Sequence, residues 1–192
     1  MAQIQQKEDR LSLQPKKFVM WLFVFASFMI FAALTSGFMV YAGGRGHALN
    51  VILPNIFMYS TGVLIISSVT LFLATRAAKR QEVSKQRLFI TLTMILGVIF
   101  FGLQIDGWRI LTEMNIFFVE PNASRSFIYI FTGVHLLHII AGLLLLTSAL
   151  YTTYRSKPQS IIQFRLEIAS IFWHFLDIIW IYLYVFLLLN QN

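Results

Sequence analysis

The side chains best suited to chemistry in this sequence lie in two apolar stretches near its C-terminus. His135 and His138 interrupt the segment FTGVHLLHIIAGLLLL. Glu167, His174 and Asp177 lie just before and within IFWHFLDIIWIYLYVFLLL. Steps of three and four residues place each set on one face of a helix. Imidazole and carboxylate groups at such spacing can ligate a metal ion or haem, relay protons, or hydrogen-bond to one another.

The two stretches are joined by a short loop, which predicts antiparallel neighbouring helices. Counting back from that loop sets His138 opposite Asp177, within about one helical turn. The same count sets His174 opposite Gly142, whose lack of a side chain leaves room for a ring. We therefore predict a hydrogen-bonded pair of His138 and Asp177 that fixes the register of the two helices.

An ionised side chain at the centre of a membrane helix costs roughly 2.5–3.5 kcal/mol on insertion scales, so it needs a partner or a function. Bulky Leu, Ile and Phe residues fill the intervals where a haem macrocycle would have to lie. We expect no catalytic residue and no bound metal, while haem or metal ligation and proton relay stay as alternatives. The expected structural polar cluster consists of His135, His138, Glu167, His174 and Asp177.

The composition places the chain among membrane proteins. Of its 192 residues, 58% are hydrophobic and 12% are charged, about half the charge of a typical soluble domain. The absence of cysteine excludes disulfides, thiolate metal sites, covalent c-type haem and a thiol nucleophile. The net charge of +7 comes from basic residues that collect in short loops, which does not indicate nucleic-acid binding.

Five apolar segments are long enough to cross the roughly 30 Å hydrocarbon core, which needs about 20 residues per helix. The first segment is longer than the roughly 7–15 residues of a signal-peptide core, so we expect a retained helix. Pro54 is expected in the first turn of the second helix. The sequence predicts an all-α bundle, one domain over 18–192 after a polar tail over 1–17, with helices at about 18–41, 52–75, 88–110, 126–151 and 166–189.

Basic residues predict the orientation of the five helices. The N-terminal tail and the second and fourth loops hold most of the 15 Lys and Arg residues. The opposite side keeps only Arg45, Arg109 and Arg125. The positive-inside rule then puts the N-terminus in the cytoplasm and the C-terminus on the outer, periplasmic side of a multi-pass membrane protein.

Two further polar groups are expected at the membrane surfaces. Gln104 and Asp106 are interpreted, with Trp108 and Arg109, as anchors at the outer interface rather than as substrate contacts. In the fourth loop, two basic residues either bind an anionic phospholipid or serve only as an orientation signal. These lipid-binding candidates are Arg155 and Lys157.

Tryptophan and tyrosine residues of the last segment could be interpreted as the lining of a cofactor-binding site. Aromatic residues make up 16% of this chain, so packing is the expected role. The residues concerned are Trp173, Trp180 and Tyr182.

These motifs resemble subunit III of the haem-copper terminal oxidases, the cytochrome c oxidase subunit III family. The histidine-containing segment is similar to the family's ATGFHGLHVIIG, and the last segment is similar to WHFVDVVWLFLYV. The resemblance extends from about residue 18 to the C-terminus and corresponds to the short, five-helix bacterial form. The residues that match in order and spacing are His135, His138, Gly142, Glu167, Trp173, His174, Asp177, Trp180 and Tyr184.

The resemblance implies a non-catalytic subunit that packs directly against subunit I, accompanies subunit II, binds phospholipid and supports oxygen reduction and proton pumping. It implies haem and copper in partner subunits and none in this chain. Arg155 falls near the family's lipid-contacting arginine. Many family members carry a buried Glu in the first core helix, where this sequence has Ser27, so no proton-related role of that carboxylate is carried over.

Two other functions stay open at the level of sequence. The first is an accessory subunit of a nitric oxide reductase, which can share a five-helix core. The second is a small membrane cytochrome that would use the histidines as haem ligands.

Overall fold

The computed structural model describes residues 2–45, 49, 51–119, 123–155 and 158–191, and within the first range the side chains of residues 14–43. All regular structure in these ranges is helical, and five helices are long and apolar enough to cross a membrane, as predicted. The helices are α1 (Ala2–Arg45), α2 (Ile56–Lys79), α3 (Val83–Glu113), α4 (Ala123–Tyr154) and α5 (Gln159–Leu189).

The second helix begins four residues later than the apolar run that suggested it. Pro54 precedes α2 instead of lying in its first turn, and its carbonyl accepts a hydrogen bond from the backbone N–H of Phe57 at 3.1 Å. Residues 51–53 before it have no regular secondary structure, and Val51 donates its N–H to the carbonyl of Gln191 at 3.3 Å. The last part of the α1–α2 connection, at Val51, therefore contacts the C-terminal end of the chain at Gln191.

Helices α2 and α3 end in the same type of left-handed turn. Gln81 and Asn115 have φ angles of 60° and 58°. In each turn the following N–H bonds the carbonyl five residues back, Glu82 to Ala77 at 3.1 Å and Ile116 to Leu111 at 3.0 Å. This is the Schellman motif, which satisfies the last carbonyls of a helix and reverses the chain.

The five helices are not equivalent in the bundle. Helices α2, α3, α4 and α5 form a ring in which each contacts its two neighbours, and α1 packs on the outside against α4 and α5. The most deeply buried helices are α4 and α5. In each, 44% of an apolar 18-residue stretch is buried inside the protein, compared with 22% for α1. The polar stripes predicted on α4 and α5 therefore lie in the part of the bundle where several helices can contact them.

Buried side chains form two packed regions. We call the region nearest the α2–α3 and α4–α5 loops the small-residue core. It consists of Leu71, Ala74, Ala78, Ile90, Leu146, Ala149, Leu166, Ala169 and Trp173. The rest, which we call the aromatic core, includes Phe31, Phe38, Phe57, Phe100, Phe131, Phe172 and Trp180.

One tryptophan joins four helices within the small-residue core. A Cβ atom added to Gly97 would lie 2.7 Å from the Trp173 ring, and one added to Gly142 would lie 3.0 Å from it. The indole N–H of Trp173 donates to the hydroxyl of Ser67 at 3.1 Å. Trp173 of α5 is thus inserted against glycines of α3 and α4 and bonded to α2, which fixes all four helices relative to one another.

Candidate functional site inside the helix bundle

His138 is bonded to α1 and to its own helix. Its Nδ1 atom lies 2.8 Å from the carbonyl oxygen of Val134, so Nδ1 carries the proton that this carbonyl accepts. In a neutral imidazole the other nitrogen is then an acceptor, and the hydroxyl of Ser27 donates to Nε2 at 3.3 Å. The predicted His138–Asp177 pair is therefore wrong, because α1 lies against this face of α4.

Asp177 is buried, and its nearest basic group lies on its own helix. Its Oδ2 atom is 3.6 Å from Nδ1 of His174, which is beyond hydrogen-bonding distance. Nδ1 of His174 shares a much shorter contact, 2.7 Å, with the hydroxyl of Ser68 on α2. Among the residues that the structure describes, neither carboxylate oxygen of Asp177 has a hydrogen-bond partner.

The predicted depth of the two helices is correct, but the predicted face of α5 is not. Trp173 lies against Gly142, where His174 was expected, and the His135 ring lies 5.0 Å from the Trp180 ring. A shift of one residue corresponds to about 100° around a helix. Helix α5 thus turns its tryptophans toward α4 and His174 toward α2.

His135 is fully buried among aromatic rings. Ring centroids of Trp180, Phe100 and Phe31 lie 5.0, 5.8 and 6.3 Å from its own. Within the described part of the chain, neither ring nitrogen has a hydrogen-bond partner. Nor do the described residues include a group of three or more His, Cys, Asp or Glu side chains that could hold a metal ion.

Glu167 lies apart from the other predicted cluster members. It forms an ion pair with Lys17 of α1, and both side chains are roughly half exposed. It also lines a cavity of about 310 Å³ between α2 and α5, together with Lys79, Gln163 and Ser170. The five residues predicted as one cluster are therefore distributed over separate contacts with α1, α2 and the aromatic core.

Hydroxyl groups on neighbouring helices accept hydrogen bonds from several side-chain N–H donors inside the bundle, a role that was not predicted from the sequence. Indole N–H groups donate to hydroxyls in three places, Trp173 to Ser67, Trp180 to Thr61 and Trp108 to Thr132. Small polar residues in apolar helices are known to mediate such contacts, so the serines and threonines of α2 were a usable signal.

Gln104 belongs to the same set of contacts, so its predicted role as an interfacial anchor is wrong. Its side chain is fully buried and donates from Nε2 to the hydroxyl of Ser60 at 3.0 Å. Asp106 and Arg109, by contrast, are exposed and form an ion pair of 3.1 Å with each other.

The aromatic residues of α5 have packing and hydrogen-bonding roles. Trp173 and Trp180 are fully buried, which confirms the prediction that they pack. Tyr182 is 44% exposed, and its hydroxyl shares a 2.9 Å hydrogen bond with Thr35 of α1. Each of these aromatic side chains therefore connects α5 to another helix.

Of the two lipid-binding candidates, the structure describes one. Arg155 follows the last residue of α4, is exposed, and has its guanidinium carbon 4.9 Å above the Tyr151 ring. Lys157 lies outside the described residues. A third basic residue, Arg87, was not predicted as a site, although it donates to the carbonyl of Thr153 at 2.8 Å and stacks 4.4 Å above the Tyr154 ring.

Comparison with known proteins adds to this geometry. A family model described as cytochrome c oxidase subunit III matches residues 6–190. The chain is 32% identical over 188 residues to cytochrome bo(3) ubiquinol oxidase subunit 3 of Buchnera aphidicola subsp. Acyrthosiphon pisum, covering 95% of this chain and 90% of that protein. It is 25% identical over 181 residues to cytochrome c oxidase subunit 3 of Bacillus subtilis, covering 92% and 87%.

Proposed function

Because the chain belongs to the cytochrome c oxidase subunit III family, and is thus a non-catalytic subunit of a haem-copper oxidase in the bacterial inner membrane, we propose that it stabilises the catalytic subunit. It does so as a rigid helical scaffold in aerobic respiration. The chemistry of oxygen reduction belongs to its neighbours.

The observation that carries this proposal is the way α5 is joined to the rest of the bundle. Trp173, Trp180 and Tyr182 of α5 donate to or share hydrogen bonds with hydroxyls on α2 and α1. Trp173 also fills the space left by Gly97 and Gly142 on two further helices. Such interlocked packing restricts helix movement and suits a supporting subunit.

We propose that the partners are subunit I, by direct contact, and subunit II within the same complex. Haem and copper belong to those partners, and this chain binds neither. The sequence supports this division, since it has no cysteine for a dinuclear copper centre and four histidines, too few for two haems and a copper. The named relatives are oxidase subunits, which favours an oxidase over a nitric oxide reductase.

We also propose that the N-terminus is cytoplasmic and that phospholipid binds near the end of α4. The basic residues of the α2–α3 and α4–α5 connections support this orientation through the positive-inside rule. Arg155 supports the lipid site because it is exposed at a helix end on the same side, next to a tyrosine ring. Lys157 follows it closely in the sequence and would add a second positive charge.

Omission of this chain from the oxidase tests the scaffold role. The complex lacking it should show a normal initial rate of oxygen consumption, followed by faster loss of activity during turnover and on heating. Restoring the chain should restore the lifetime. Equal lifetimes with and without the chain would refute the proposal, and so would a Soret band that stays with the isolated polypeptide.

The natural absence of cysteine makes the orientation directly measurable. A single cysteine at Lys16 or at Asn190 would be exposed to a membrane-impermeant maleimide from one side of the membrane. We expect Lys16→Cys to react in inside-out vesicles and Asn190→Cys in intact spheroplasts. The reverse pattern would contradict the cytoplasmic N-terminus.

A further inference from the structure

One side of α5 is not covered by any other helix that the structure describes. Helix α5 packs against α2, α4 and α1, whereas α1 and α2 are not adjacent to each other in the described residues. The surface of α5 that lies between α1 and α2 therefore faces outward. We call this surface, with the neighbouring side of α2, the α1–α2 gap. It consists of Ile171, His174, Ile178, Ile181 and Val185 of α5 and of Ser68 and Phe72 of α2.

The α5 residues of the gap have the spacing of a helix-packing seam. They follow one another at steps of three and four, which is the pattern by which one helix packs along another. Ile178, Ile181 and Val185 are exposed although they are large and aliphatic. Helix α3 also exposes aliphatic residues, such as Val98, so polar groups must decide whether a helix or lipid covers the gap.

A partly exposed histidine distinguishes the gap from the other outer surfaces. His174 is the midpoint of α5 (Gln159–Leu189), and its side chain is 35% exposed, whereas His135 and His138 of α4 are buried. Its Nδ1 atom lies 2.7 Å from the hydroxyl of Ser68 and also faces the carboxylate of Asp177 at 3.6 Å. Two acceptors around Nδ1 favour the tautomer with its proton there, which leaves Nε2 as an acceptor. Among the described residues, no hydrogen bond reaches Nε2.

Asp177 lies behind His174 and also lacks a hydrogen-bond donor. Within the described part of the chain, both of its carboxylate oxygens are buried without a hydrogen-bond partner. Ionisable residues inside membrane helices face protein or water, because lipid chains cannot satisfy them. A hydrocarbon chain in the gap would supply no donor at the depth of His174 and Asp177, whereas a helix can carry one on a side chain.

The gap is also polar one to two turns closer to the α4–α5 loop. A cavity of about 310 Å³ is lined there by Thr75 and Lys79 of α2 and by Glu167 and Ser170 of α5. Glu167 is paired with Lys17 of α1, so the gap is bounded by α1 at this end. From Glu167 to His174 the rise of an α-helix gives about 10 Å, or two turns. Polar groups at two depths separated by two helical turns match a helix with polar side chains seven residues apart.

We propose that the α1–α2 gap is the docking surface for one transmembrane helix of another oxidase subunit, and that this helix carries a side-chain hydrogen-bond donor at the depth of His174 and Asp177. The inference rests on the proposed function, because it requires assembly with other oxidase subunits. It adds the surface that is used and the chemistry of the helix that covers it. A second copy of this chain would bring another carboxylate to the same depth, which charge repulsion opposes.

Site-specific photocrosslinking of the intact oxidase in its membrane tests the gap. A benzoylphenylalanine replaces Ile178, at the centre of the gap, or Leu144 on the outer side of α4 as a matched control, since both side chains are 65% exposed. We expect position 178 to crosslink to another oxidase subunit and position 144 to form lipid adducts. Peptide mapping should place the crosslink on a transmembrane helix, within one turn of a residue whose side chain donates hydrogen bonds.

Substitutions separate docking from the fold of the chain itself. Asp177→Leu removes an acceptor from the gap and should increase dissociation of the chain from the complex about threefold, as expected for one hydrogen bond between membrane helices. It should not lower the melting temperature of the isolated chain. Asp177→Asn keeps an acceptor oxygen and should retain docking. The matched control is Gln104→Leu, which removes a hydrogen bond to Ser60 inside the bundle and should lower the melting temperature without changing dissociation.

Products between position 178 and lipid alone would overturn the proposal, and so would a crosslink to a second copy of this chain. A crosslink to a helix with no donor within one turn, or unchanged dissociation of Asp177→Leu, would also overturn it. The scaffold role is measured separately, by the lifetime of the complex with and without the chain. A subunit crosslink at position 144 but not at 178, with a normal lifetime effect, would therefore refute the docking surface and leave the scaffold role intact.

Discussion

Next to the α2–α3 and α4–α5 loops, four helices meet through alanine and leucine residues around Trp173, whereas toward the other end several phenylalanine rings and Trp180 join the aliphatic side chains. In lipid, helices are not driven together by the hydrophobic effect, so small residues that allow close contact are one way to hold them. The aromatic core uses another way, with edge-to-face rings such as Phe100 against Trp180 at 5.0 Å.

The two cores also differ in the helices that they join. The small-residue core contains residues of α2, α3, α4 and α5, while the aromatic core adds Val24, Phe31 and Phe38 of α1. The ring of four helices is thus closed by tight packing, whereas α1 is attached through aromatic ring contacts and a few hydrogen bonds. Substitutions in the two regions should therefore have different consequences.

Trp173→Ala should have the largest effect, because Trp173 fills the space between Gly97 and Gly142 and bonds Ser67. Large-to-small substitutions of buried aromatic residues cost about 3–5 kcal/mol in unfolding free energy. The measurement is thermal unfolding of the purified subunit in detergent, with Trp21→Ala, 53% exposed on α1, as control. Similar losses in both variants would show that Trp173 does not join the four helices.

Gly97→Ala should have the next largest effect, because the new Cβ would lie 2.7 Å from the Trp173 ring. Overpacking of this kind typically costs about 1–3 kcal/mol. Gly102, on the same helix, faces open space among the described residues, so Gly102→Ala should stabilise α3 slightly. Denaturant or thermal unfolding of the two variants separates packing from helix propensity, and the same sign of change in both would count against close packing at Gly97.

Asp177→Leu tests the polar residue that lies between Trp173 and Trp180. An unsatisfied buried group costs about 1–3 kcal/mol, so its replacement by an apolar residue should raise the unfolding free energy of the isolated subunit by that order. A lower melting temperature for Asp177→Leu would show that the carboxylate has a partner that stabilises the fold.

Ser27→Ala should have a smaller effect, confined to the attachment of α1. It removes the hydrogen bond to Nε2 of His138, and such contacts between membrane helices average about 0.6 kcal/mol. The measurement is the protease sensitivity of α1, which should increase in Ser27→Ala. Ser36 is exposed on the same helix, so Ser36→Ala serves as the control. A loss as large as that of Trp173→Ala would mean that α1 belongs to the ring of four helices.

The smallest effect is expected at the loop beside the small-residue core. A hydrogen bond from Lys85, and then the charges of Lys85 and Arg80, lower the pKa of Glu82 from its ordinary value of 4.5. A lowered pKa in the folded state stabilises the protein above the ordinary value and ceases to do so as the pH falls through the lower one. The small difference in melting temperature between wild type and Glu82→Gln should therefore be present at neutral pH and disappear in strong acid.

The sequence predicts which segments of this chain form membrane-spanning helices much better than it predicts which faces of those helices contact one another. Length and apolar composition suffice for five helices, and loop counting placed α4 and α5 at the correct depth, since Gly142 meets Trp173 and His135 meets Trp180. Rotation about the helix axis could not be predicted in the same way. Helix α5 is apolar on nearly every side, so the pattern did not distinguish the face with His174 from the face with Trp173.

The position of α1 was also beyond the sequence. Helix α1 supplies the partners of His138 and Glu167. These partners are Ser27 and Lys17, which lie more than 100 residues earlier in the chain. Loop lengths constrain consecutive helices but say nothing about such distant pairs. This is why the predicted His138–Asp177 pair failed although the helices that carry both residues are neighbours.

The peripheral position of α1 has a consequence for membrane insertion. In the described residues, the bonds of α1 to other helices include those of Lys17 with Glu167, Ser27 with His138 and Thr35 with Tyr182. At a synthesis rate of about 5–20 residues per second, these partners emerge roughly 5–30 seconds after α1. The first helix made must therefore wait in the bilayer, with its inner face against lipid or the insertion machinery, until the last two arrive.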